Sequence, residues 1–329
     1  MSARRLDPPA PPVDPARPVA APGAGDLLTL AELQSLRRTS TARGAWLVLH
    51  AWAAILGAMA ASALWPSPLT FLVGIAVVGG RQLGLAVLAH EAAHWRLFTG
   101  MKPNGWAAKL FCAWPMGIEL GAYRRRHHLH HRHTQQPEDP DLALAAGYPV
   151  GGAALWRGAL ADLSGLTALR LARAWPGWRE HAGAMLRRLR GPLLVHVALA
   201  AGLAAAGHWP QYVWLWVVPQ LTWYRLAVRL RAIAEHAMVP DDGDPLRNAR
   251  TTAAGPIARA LVAPYWMNYH LEHHLLVFVP CWRLRDAHAL LVARGFGERM
   301  ELAAGYWDVV RRATARTAAA PAGALPRTH

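Results

Sequence analysis

The sequence predicts an all-α integral membrane protein in which four transmembrane helices carry a cytoplasmic helical cap. Hydrophobic residues make up 53% of the 329 residues and charged residues only 17%, and several apolar runs approach the length of a membrane crossing. The 16 tryptophans exceed the 5 phenylalanines and 7 tyrosines, which suits a protein with membrane interfaces. Three histidine clusters at helical spacing follow the apolar runs, and we place these clusters in the cap.

The first two predicted spans form a helical hairpin. Residues 45–65 are uncharged and long enough to cross the roughly 30 Å hydrocarbon layer. Residues 69–89 form the second span, which carries Arg81 and Gln82. An arginine inside a span either reaches toward the lipid headgroups or faces a polar interior.

The segments that follow the hairpin are less regular. Residues 106–121 are apolar but short, and Lys109, Pro115 and Glu119 interrupt them, so we expect an interfacial or re-entrant segment. Residues 151–190 alternate apolar residues with arginines, a pattern typical of amphipathic helices that lie on a membrane surface. We therefore expect no crossing in either segment.

Two further apolar runs lie later in the chain, at residues 193–206 and 212–224. The sequence GHWP at residues 207–210 separates them. Because each run is marginal in length, a tight helical hairpin and one long span are both compatible with them.

The placement of Lys and Arg favours four spans with both termini and the histidine clusters on the cytoplasmic side. Cytoplasmic loops carry the excess of Lys and Arg, and the connectors at residues 62–67 and 207–211 hold neither. Arginines flank the other ends of the apolar runs, at positions 37, 38, 43, 124–126, 187, 188, 190, 225, 229 and 231. A soluble helical protein with two buried hairpins is the alternative.

Charge, cysteines and terminal composition narrow the class further. The net charge of +15 comes without a nucleic-acid-binding motif, so we expect no nucleic-acid partner. Cys112 and Cys281 lie far apart without a CxxC partner, and we expect free thiols. We expect disordered tails at residues 1–25 and 313–329, on either side of one membrane domain at residues 26–312.

The three histidine clusters are HEAAH at residues 90–94, HHLHH at 127–131 and HLEHH at 270–274. In a helix, positions i, i+3 and i+4 share one face with side chains about 5–6 Å apart, so each cluster can grip a metal ion. The candidate ligands are the eight clustered histidines at this spacing and one histidine after the fourth apolar run, namely His90, His94, His127, His130, His131, His270, His273, His274 and His236.

The number of histidines indicates two metal ions. Nine imidazoles are too many for one tetrahedral zinc, and imidazole suits Fe, Zn, Cu and Ni alike; we favour two irons. An HExxH zinc-protease helix with Glu91 as its base would need one further ligand and would leave the other two clusters without a role. A membrane protein that transports protons or metals would carry its histidines within the spans rather than after them.

The clusters and their flanking residues resemble those of the membrane fatty acid desaturase superfamily, whose pattern is HxxxH, HxxHH and HxxHH. LAHEAAHWRLF is similar to the first motif, AYRRRHHLHHRHTQQPEDPDL to the second motif with its downstream Asp-Pro-Asp, and YHLEHHLLVFVPCWRL to the third. RAIAEHAM resembles the histidine-bearing element before the third motif. The resemblance runs from Ala45 to Leu291 in order and spacing.

The resemblance implies a four-span bundle with a non-haem di-iron centre on its cytoplasmic face, and the family's ligand positions fall on the nine candidate histidines. Five carboxylates either accept the second N–H of a ligand imidazole or are surface and capping residues: Glu91, Asp139, Asp141, Glu235 and Glu272. His128 and His133 fall on variable positions of the family, so we expect them to contact ligand residues or to be solvated. Six histidines have no motif around them, and we expect ordinary structural or surface roles for them: His50, His181, His196, His208, His288 and His329.

The resemblance also implies the reaction. An enzyme of this kind would use two ferrous ions, O₂ and two electrons to remove hydrogen from an unactivated methylene of a fatty acyl chain. We expect this chain to be linked to a lipid and to enter the site from the bilayer. Oxygen insertion by a lipid, sphingolipid or carotenoid hydroxylase is the alternative on the same scaffold. No His-Pro-Gly-Gly haem motif is present, so we expect a separate electron donor such as a ferredoxin. Ala232 stands where some acyl-CoA desaturases hold an Asn, and His270 where front-end desaturases hold a Gln, so neither of those subclasses is favoured.

Overall fold

Helices make up most of the structure, a computed structural model that describes residues 23–175, 181–240 and 243–315. In chain order the helices are α1 (Ala24–Leu27), α2 (Leu30–Leu36), α3 (Thr41–Leu64), α4 (Pro68–Ala93), α5 (Met101–Ala108), α6 (Leu120–Arg132), α7 (Leu142–Ala145), α8 (Gly152–Leu163), α9 (Leu166–Arg173), α10 (Ala182–Ala205), α11 (Pro210–Tyr212), α12 (Val218–Leu221), α13 (Trp223–His236), α14 (Pro256–Leu261), α15 (His270–Leu275), α16 (Leu284–Ala293) and α17 (Tyr306–Thr314). Two π-helical segments, Lys109–Ala113 and Val213–Val217, and two 3₁₀ segments, Trp114–Met116 and Cys281–Arg283, are also present. Two short strands, β1 (Thr251–Thr252) and β2 (Leu302–Ala303), pair in parallel.

Within the described residues, three helices are long and apolar enough to cross a membrane, namely α3, α4 and α10. The first two coincide with the predicted hairpin. Ser40 and Ser67 cap their N-termini, with the side-chain oxygens accepting hydrogen bonds from Arg43 N at 3.3 Å and Thr70 N at 3.1 Å. The third candidate span begins at Ala182, inside the segment for which we expected surface helices, and continues through the third apolar run.

The third and fourth apolar runs form a hairpin rather than one long span. The chain turns at Gly207, whose φ of +76° a glycine adopts without steric cost. Beyond the turn, Tyr212 Oη lies 2.9 Å from Nδ1 of His196 in α10, and the ring of Trp216 also lies beside that imidazole. The second arm therefore folds back along α10.

The fourth run is not one regular helix. It contains the π-helical segment and the short helix α12, and Thr222, with φ −120°, separates α12 from α13. Pro219 follows the π-helical segment closely, and proline has no N–H to donate to the carbonyl four residues earlier, which a locally widened turn accommodates. Gln82 Nε2 of α4 donates to the carbonyl of Trp216 at 2.7 Å, so this irregular backbone is tied to the hairpin.

Arg81, which the sequence places inside the second span, faces the protein interior. Its side chain is buried, and Nη2 donates to the carbonyl of Arg259 at 3.1 Å and to that of Ala260. These carbonyls belong to the end of α14, so the arginine caps this helix. Of the two environments expected for an arginine inside a span, the polar interior is the one found.

Glycines on α4 allow close packing beside the histidines. A Cβ at Gly79 would lie 2.7 Å from Cβ of Trp223 in α13, and one at Gly80 would lie 2.7 Å from the carbonyl oxygen of Ala260. Both distances are shorter than carbon and oxygen atoms tolerate without displacement. The small residues therefore let α13 and α14 approach the helix that carries the first histidine cluster.

The segment 106–121 is broken, in agreement with its expected interruption. Helix α5 gives way to the π-helical and 3₁₀ segments, Pro115 lies in the latter, and Gly117 turns the chain with φ +69° before α6 begins. Cys112 and Cys281 are buried free thiols, as expected. Most of the two expected tails lies outside the described residues, although α1 begins at Ala24 and α17 ends at Thr314.

Candidate metal centre

All nine candidate histidines come together in two groups. Within each group, the atoms that could bind a metal lie within 4.8 Å of one another. One group has five members: His90, His94, His127, His131 and His273. The other has four members: His130, His236, His270 and His274.

In the five-histidine group, three imidazoles converge on one point. Nε2 of His131 lies 2.9 Å from Nε2 of His127 and 3.1 Å from Nε2 of His273. A neutral imidazole nitrogen either donates one hydrogen bond or accepts one, so both contacts of His131 cannot be hydrogen bonds. Nε2 of His90 and of His94 have no hydrogen-bond partner although they are buried. Five nitrogens therefore face a space that a cation would satisfy.

The four-histidine group repeats this arrangement. Nε2 of His270 lies 2.8 Å from Nε2 of His236 and 3.0 Å from Nε2 of His274. The ring of His130 completes the group, with its centroid 4.8 Å from that of His236 and 5.0 Å from that of His274. Since one Nε2 again meets two others, this group also has the donor set of a metal site.

These distances fit metal coordination. An imidazole nitrogen binds a metal such as zinc at about 2.0–2.1 Å, so two ligands at a right angle lie about 2.9 Å apart. The four Nε2 pairs described above span 2.8–3.1 Å. The residues present therefore fit two metal ions, one held by each group.

Burial keeps the imidazoles in the neutral form that binds metals. Loss of water, together with the charges of the neighbouring His128 and Arg96, lowers the pKa of His94 to about 3. Burial, followed by the nearby His130, likewise lowers the pKa of His236 to about 3. The pKa values of His127 and His131 are lowered for the same reasons. Metal binding at neutral pH would therefore displace few protons.

An arginine that the sequence did not mark as functional joins the first two clusters. Arg124, in the second turn of α6, donates from Nε to the carbonyl of Ala93 at 2.9 Å and from Nη2 to that of Ala92 at 3.1 Å. These carbonyls end α4, where a cation is favourable. The guanidinium also lies 3.7 Å from the ring centre of Trp95. This contact sets α6 against the end of the helix that carries His90.

Two polar residues after the second cluster connect it to the remaining histidines. Thr134 Oγ1 donates to the carbonyl of His130 at 2.9 Å and lies 3.2 Å from Nδ1 of His274. Gln135 Nε2 donates to the carbonyl of His236 at 2.8 Å. The only indication of a role for Thr134 and Gln135 in the sequence is their position directly after HHLHHRH. Spacing alone does not reveal which groups they contact.

Three of the five predicted carboxylates lie beside candidate ligands. Asp139 Oδ1 is 2.8 Å from Nδ1 of His130. Burial raises the pKa of Asp139, but the hydrogen bonds from His130 and from the backbone outweigh burial, so the pKa lies below its ordinary value. Glu91 is 3.5 Å from Nδ1 of His90, and its Oε2 accepts from Cys281 N at 2.8 Å. Glu235 is 3.5 Å from Nδ1 of His270.

The other two carboxylates contact different groups. Asp141 forms an ion pair with Arg126, Oδ1 to Nη2 at 2.7 Å. Glu272 accepts from Thr251 Oγ1 and lies 2.6 Å from Nδ1 of His288. Glu272 is two residues from His270, so on α15 it points away from the ligand face. We expected His288 to be an ordinary structural or surface residue, but this hydrogen bond places it beside the third cluster. The same hydrogen bond to Glu272 raises the pKa of His288.

The remaining histidines stand apart from the two groups. His128 is exposed, with its ring centroid 5.7 Å from that of His94, and His133 Nδ1 lies 3.2 Å from Gln136 Oε1. His50 Nδ1 lies 3.1 Å from the hydroxyl of Tyr265. His181 and His208 are exposed, and the contact of His196 with Tyr212 is described above. His329 lies outside the described residues.

A cavity of about 230 Å³ lies directly against the metal centre. Histidines of both groups line it: His90 and His127 from the first, and His130, His236 and His270 from the second. The opposite wall comes from α13, with Tyr224, Val228, Arg231 and Glu235 at helical spacing. A molecule in this cavity would touch the surroundings of both metal sites.

Comparison with known proteins identifies the family that this fold and this site define. The family model described as fatty acid desaturase matches residues 63–301, which is most of the chain and includes all three histidine clusters. The chain belongs to the fatty acid desaturase family. It is therefore an oxidoreductase of an iron-dependent family of membrane enzymes that act on lipid or acyl substrates.

The curated relatives are desaturases and ketolases. The chain is 28% identical over 256 residues to the dihydrorhizobitoxine desaturase of Bradyrhizobium elkanii, covering 72% of each chain. It is 28% identical over 240 residues to a beta-carotene ketolase of Paracoccus sp. (strain PC1), covering 73% of this chain and 86% of the ketolase. A second beta-carotene ketolase, from Paracoccus sp. (strain N81106 / MBIC 01143), is 26% identical over 245 residues, with the same coverage. Family membership disfavours the zinc-protease and transporter alternatives.

Proposed function

We propose that this protein is a membrane oxidoreductase that uses O₂ and a histidine-ligated di-iron centre to desaturate an acyl chain, linked to a lipid, from the bilayer. The observation that carries the proposal is the convergence of nine histidines, from four separate parts of the chain, into one group of five and one group of four. Two irons held there would supply the redox chemistry needed to remove hydrogen from an unactivated methylene.

The chain's own residues hold and orient these ligands. Asp139, and at longer distance Glu91 and Glu235, face the Nδ1 atoms of ligand imidazoles and leave Nε2 directed at the metal. Burial keeps the imidazoles neutral. The cavity places a substrate against both groups, and its apolar members, such as Leu83 and Val228, exclude water from the reacting carbon.

We extend the proposal to the membrane arrangement. Four crossings, with α3, α4, α10 and residues 212–224 as the arms of two hairpins, would put both termini and the metal centre on the cytoplasmic side. The arginine-free turns at residues 62–67 and 207–211 support this orientation. One membrane domain, residues 26–312, would then contain the entire site, between terminal tails at residues 1–25 and 313–329.

The two electrons would come from a separate small redox protein such as a ferredoxin. The sequence contains no haem-binding His-Pro-Gly-Gly motif and only two cysteines, too few for a four-cysteine iron–sulfur cluster. Both thiols are buried. Activity in purified form should therefore require an added reductant.

Oxygen insertion is the second candidate, because the chain aligns with 86% of the length of each of two beta-carotene ketolases. The same metal centre can serve either outcome, since both begin with removal of a hydrogen from carbon. The mass of the product separates them: desaturation removes two hydrogens, whereas hydroxylation adds an oxygen and ketone formation adds an oxygen and removes two hydrogens.

The proposal is tested by expressing the full chain in one host of known lipid composition and in another that accumulates carotenoids. We expect new lipid species that disappear in His273→Ala but persist in His128→Ala, because His128 lies outside both groups. Unchanged lipid masses in both hosts with a matching reductase, or full activity of His273→Ala, would contradict the proposal.

A further inference from the structure

The cavity beside the metal centre contains a charged residue that an ordinary hydrocarbon chain would not need. Arg231 lines this cavity, and its side chain is only 19% exposed. It belongs to the face of α13 that also presents Tyr224 and Glu235 to the cavity. A methylene chain offers no hydrogen-bond acceptor to such a residue.

Most of the hydrogen-bonding capacity of Arg231 is unused. Nε donates to Glu235 Oε1 at 2.5 Å, and no other hydrogen bond joins this side chain to the part of the chain that the structure describes. A guanidinium has five N–H donors, so the two terminal Nη groups remain available. If hydrocarbon alone filled the cavity, these donors would lose water without a replacement, which is unfavourable.

The charge of the arginine is already balanced. Glu235 neutralises it within the cavity wall, and Asp141, which also lines the cavity, is paired with Arg126. A carboxylate on the substrate would therefore meet donors but also two anionic neighbours. A neutral oxygen, such as a carbonyl, hydroxyl or ether oxygen, would accept from the Nη groups without adding charge to a buried site.

The position of Arg231 limits the distance between this oxygen and the reacting carbon. Nε of Arg231 and Nδ1 of His270 lie 2.5 Å and 3.5 Å from the same oxygen, Glu235 Oε1, so the guanidinium is close to a candidate metal ligand. The cavity is bounded by the histidines of both groups and by Arg231. An oxygen that contacts the arginine would thus be only a few bonds from the carbon next to the metal centre.

We propose that Arg231 is a specificity-determining residue that donates hydrogen bonds to a neutral oxygen function of the substrate, a few bonds from the carbon that is oxidised. This inference rests on the proposed function and narrows it. The substrate would be an apolar molecule that carries oxygen near the reaction point, rather than an acyl chain oxidised in the middle of a plain alkyl segment.

Binding of two matched probes tests the inference. Dioctyl ketone and heptadecane have the same carbon skeleton and differ only in the central carbonyl, and palmitate tests a charged oxygen. Dissociation constants would be measured on the full chain at one detergent concentration. We expect the protein to bind the ketone about tenfold more tightly than the alkane, because a hydrogen bond from a charged donor provides a ratio of this size. We also expect it to bind the ketone more tightly than palmitate.

Variants then assign the preference to the arginine. Arg231→Met should remove the preference for the ketone and leave alkane binding unchanged. Arg231→Lys keeps the positive charge but loses the planar pair of terminal nitrogens, so it should retain part of the preference for the ketone. Arg225→Met is the matched control, because Arg225 lies on the same helix against the ring of Tyr224 and is not among the residues that line the cavity.

Three results would overturn the inference: equal affinity of the unmodified protein for ketone and alkane, parallel loss of both in Arg231→Met, or tighter binding of palmitate than of the ketone. The first and third need no variant, so they stand even if a substitution prevents folding. Because binding is measured without turnover, an arginine-dependent ketone preference in a protein without lipid oxidation would reject the proposed function alone.

Discussion

Nε2 of His131 and Nε2 of His273 lie 3.1 Å apart, although 142 positions separate the two residues in the chain. His131 belongs to α6 and His273 to α15, so each of these helices supplies only part of the five-histidine group. The five-histidine group combines α4, α6 and α15, whereas the four-histidine group combines α6, α13 and α15. Helices α6 and α15 therefore contribute histidines to both groups, so a displacement of either helix would move candidate ligands of both.

Asp139 should control metal affinity through His130. Asp139→Asn replaces the carboxylate that faces Nδ1 of His130 at 2.8 Å with a weaker acceptor. Loss of such a partner typically lowers metal affinity by about 10- to 100-fold. We expect this loss in the four-histidine group, measured by competition with a chelator.

The control for this experiment is Asp141→Asn. Asp141 lies in the same Asp-Pro-Asp sequence but pairs with Arg126 instead of a histidine. We expect its metal affinity to match that of the unmodified protein. Equal losses in the two variants would show that the segment matters for folding rather than for His130.

Arg124 should matter for the geometry of the five-histidine group. Arg124→Met removes the hydrogen bonds to the carbonyls of Ala92 and Ala93 that hold α6 against α4. We expect a protein that loses metal from this group faster during dialysis. Arg125→Met, an exposed neighbour, serves as the control, and an identical rate of metal loss in both variants would contradict this role.

A buried ion pair should contribute to stability away from the site. Asp162 is 1% exposed and accepts from Arg229 Nε at 2.5 Å and from Thr167 Oγ1 at 2.6 Å. Asp162→Ala leaves these donors unpaired, which costs about 1–3 kcal/mol of the free energy of unfolding. The thermal unfolding midpoint should fall clearly.

The matched control is Asp286→Ala, because Asp286 is 59% exposed and lies 3.7 Å from Arg283. Exposed pairs contribute about 0–1 kcal/mol, so its midpoint should hardly move. A larger effect of Asp286→Ala than of Asp162→Ala would be inconsistent with the described packing.

The stability of the metal-free protein should fall with acidity. The pKa values of His94 and His236 are near 3 in the folded chain, against 6.5 for an ordinary histidine. Between these values the unfolded chain binds protons that the folded chain does not, so stability is full above about pH 6.5 and declines as pH falls. Thermal unfolding midpoints measured at about pH 7.5, 6.5 and 5.5 should decrease in that order.

A double variant, His94→Gln with His236→Gln, should weaken this dependence without abolishing it, because glutamine does not titrate whereas other buried histidines of the two groups, whose pKa values are also lowered, still do. Burial raises the pKa of Glu235 to about 7, so this carboxyl group binds a proton in the folded chain over the same pH range and partly offsets the effect of the more numerous histidines. A metal-free protein that became more stable on acidification would contradict the assigned protonation states.

The sequence was sufficient to predict which histidines come together, because helical spacing places His127, His130 and His131 on one face whatever the tertiary structure. It was less informative wherever a partner comes from a distant segment. The carbonyls that Arg81 contacts, the ring of His288 that contacts Glu272, and the arginine that holds α6 to α4 all depend on packing between elements. Spacing within one element contains no such information.

The fourth apolar run shows the same limit for the fold. Hydropathy indicates a run at residues 212–224, but the structure interrupts it with a π-helical segment and with a break at Thr222. Pro219 explains an irregular helix at this point, because proline has no backbone N–H to donate within the helix. Only the contact between Gln82 and the carbonyl of Trp216 shows how the backbone is satisfied.

The most direct test of the account is the iron content of the purified full chain and of three variants. We expect about two irons per chain in the unmodified protein and in His128→Ala, and about one in His273→Ala and in His274→Ala, since each of the latter removes a ligand from one group. Zinc as the native metal, or full iron occupancy in His273→Ala and His274→Ala, would contradict the central claim.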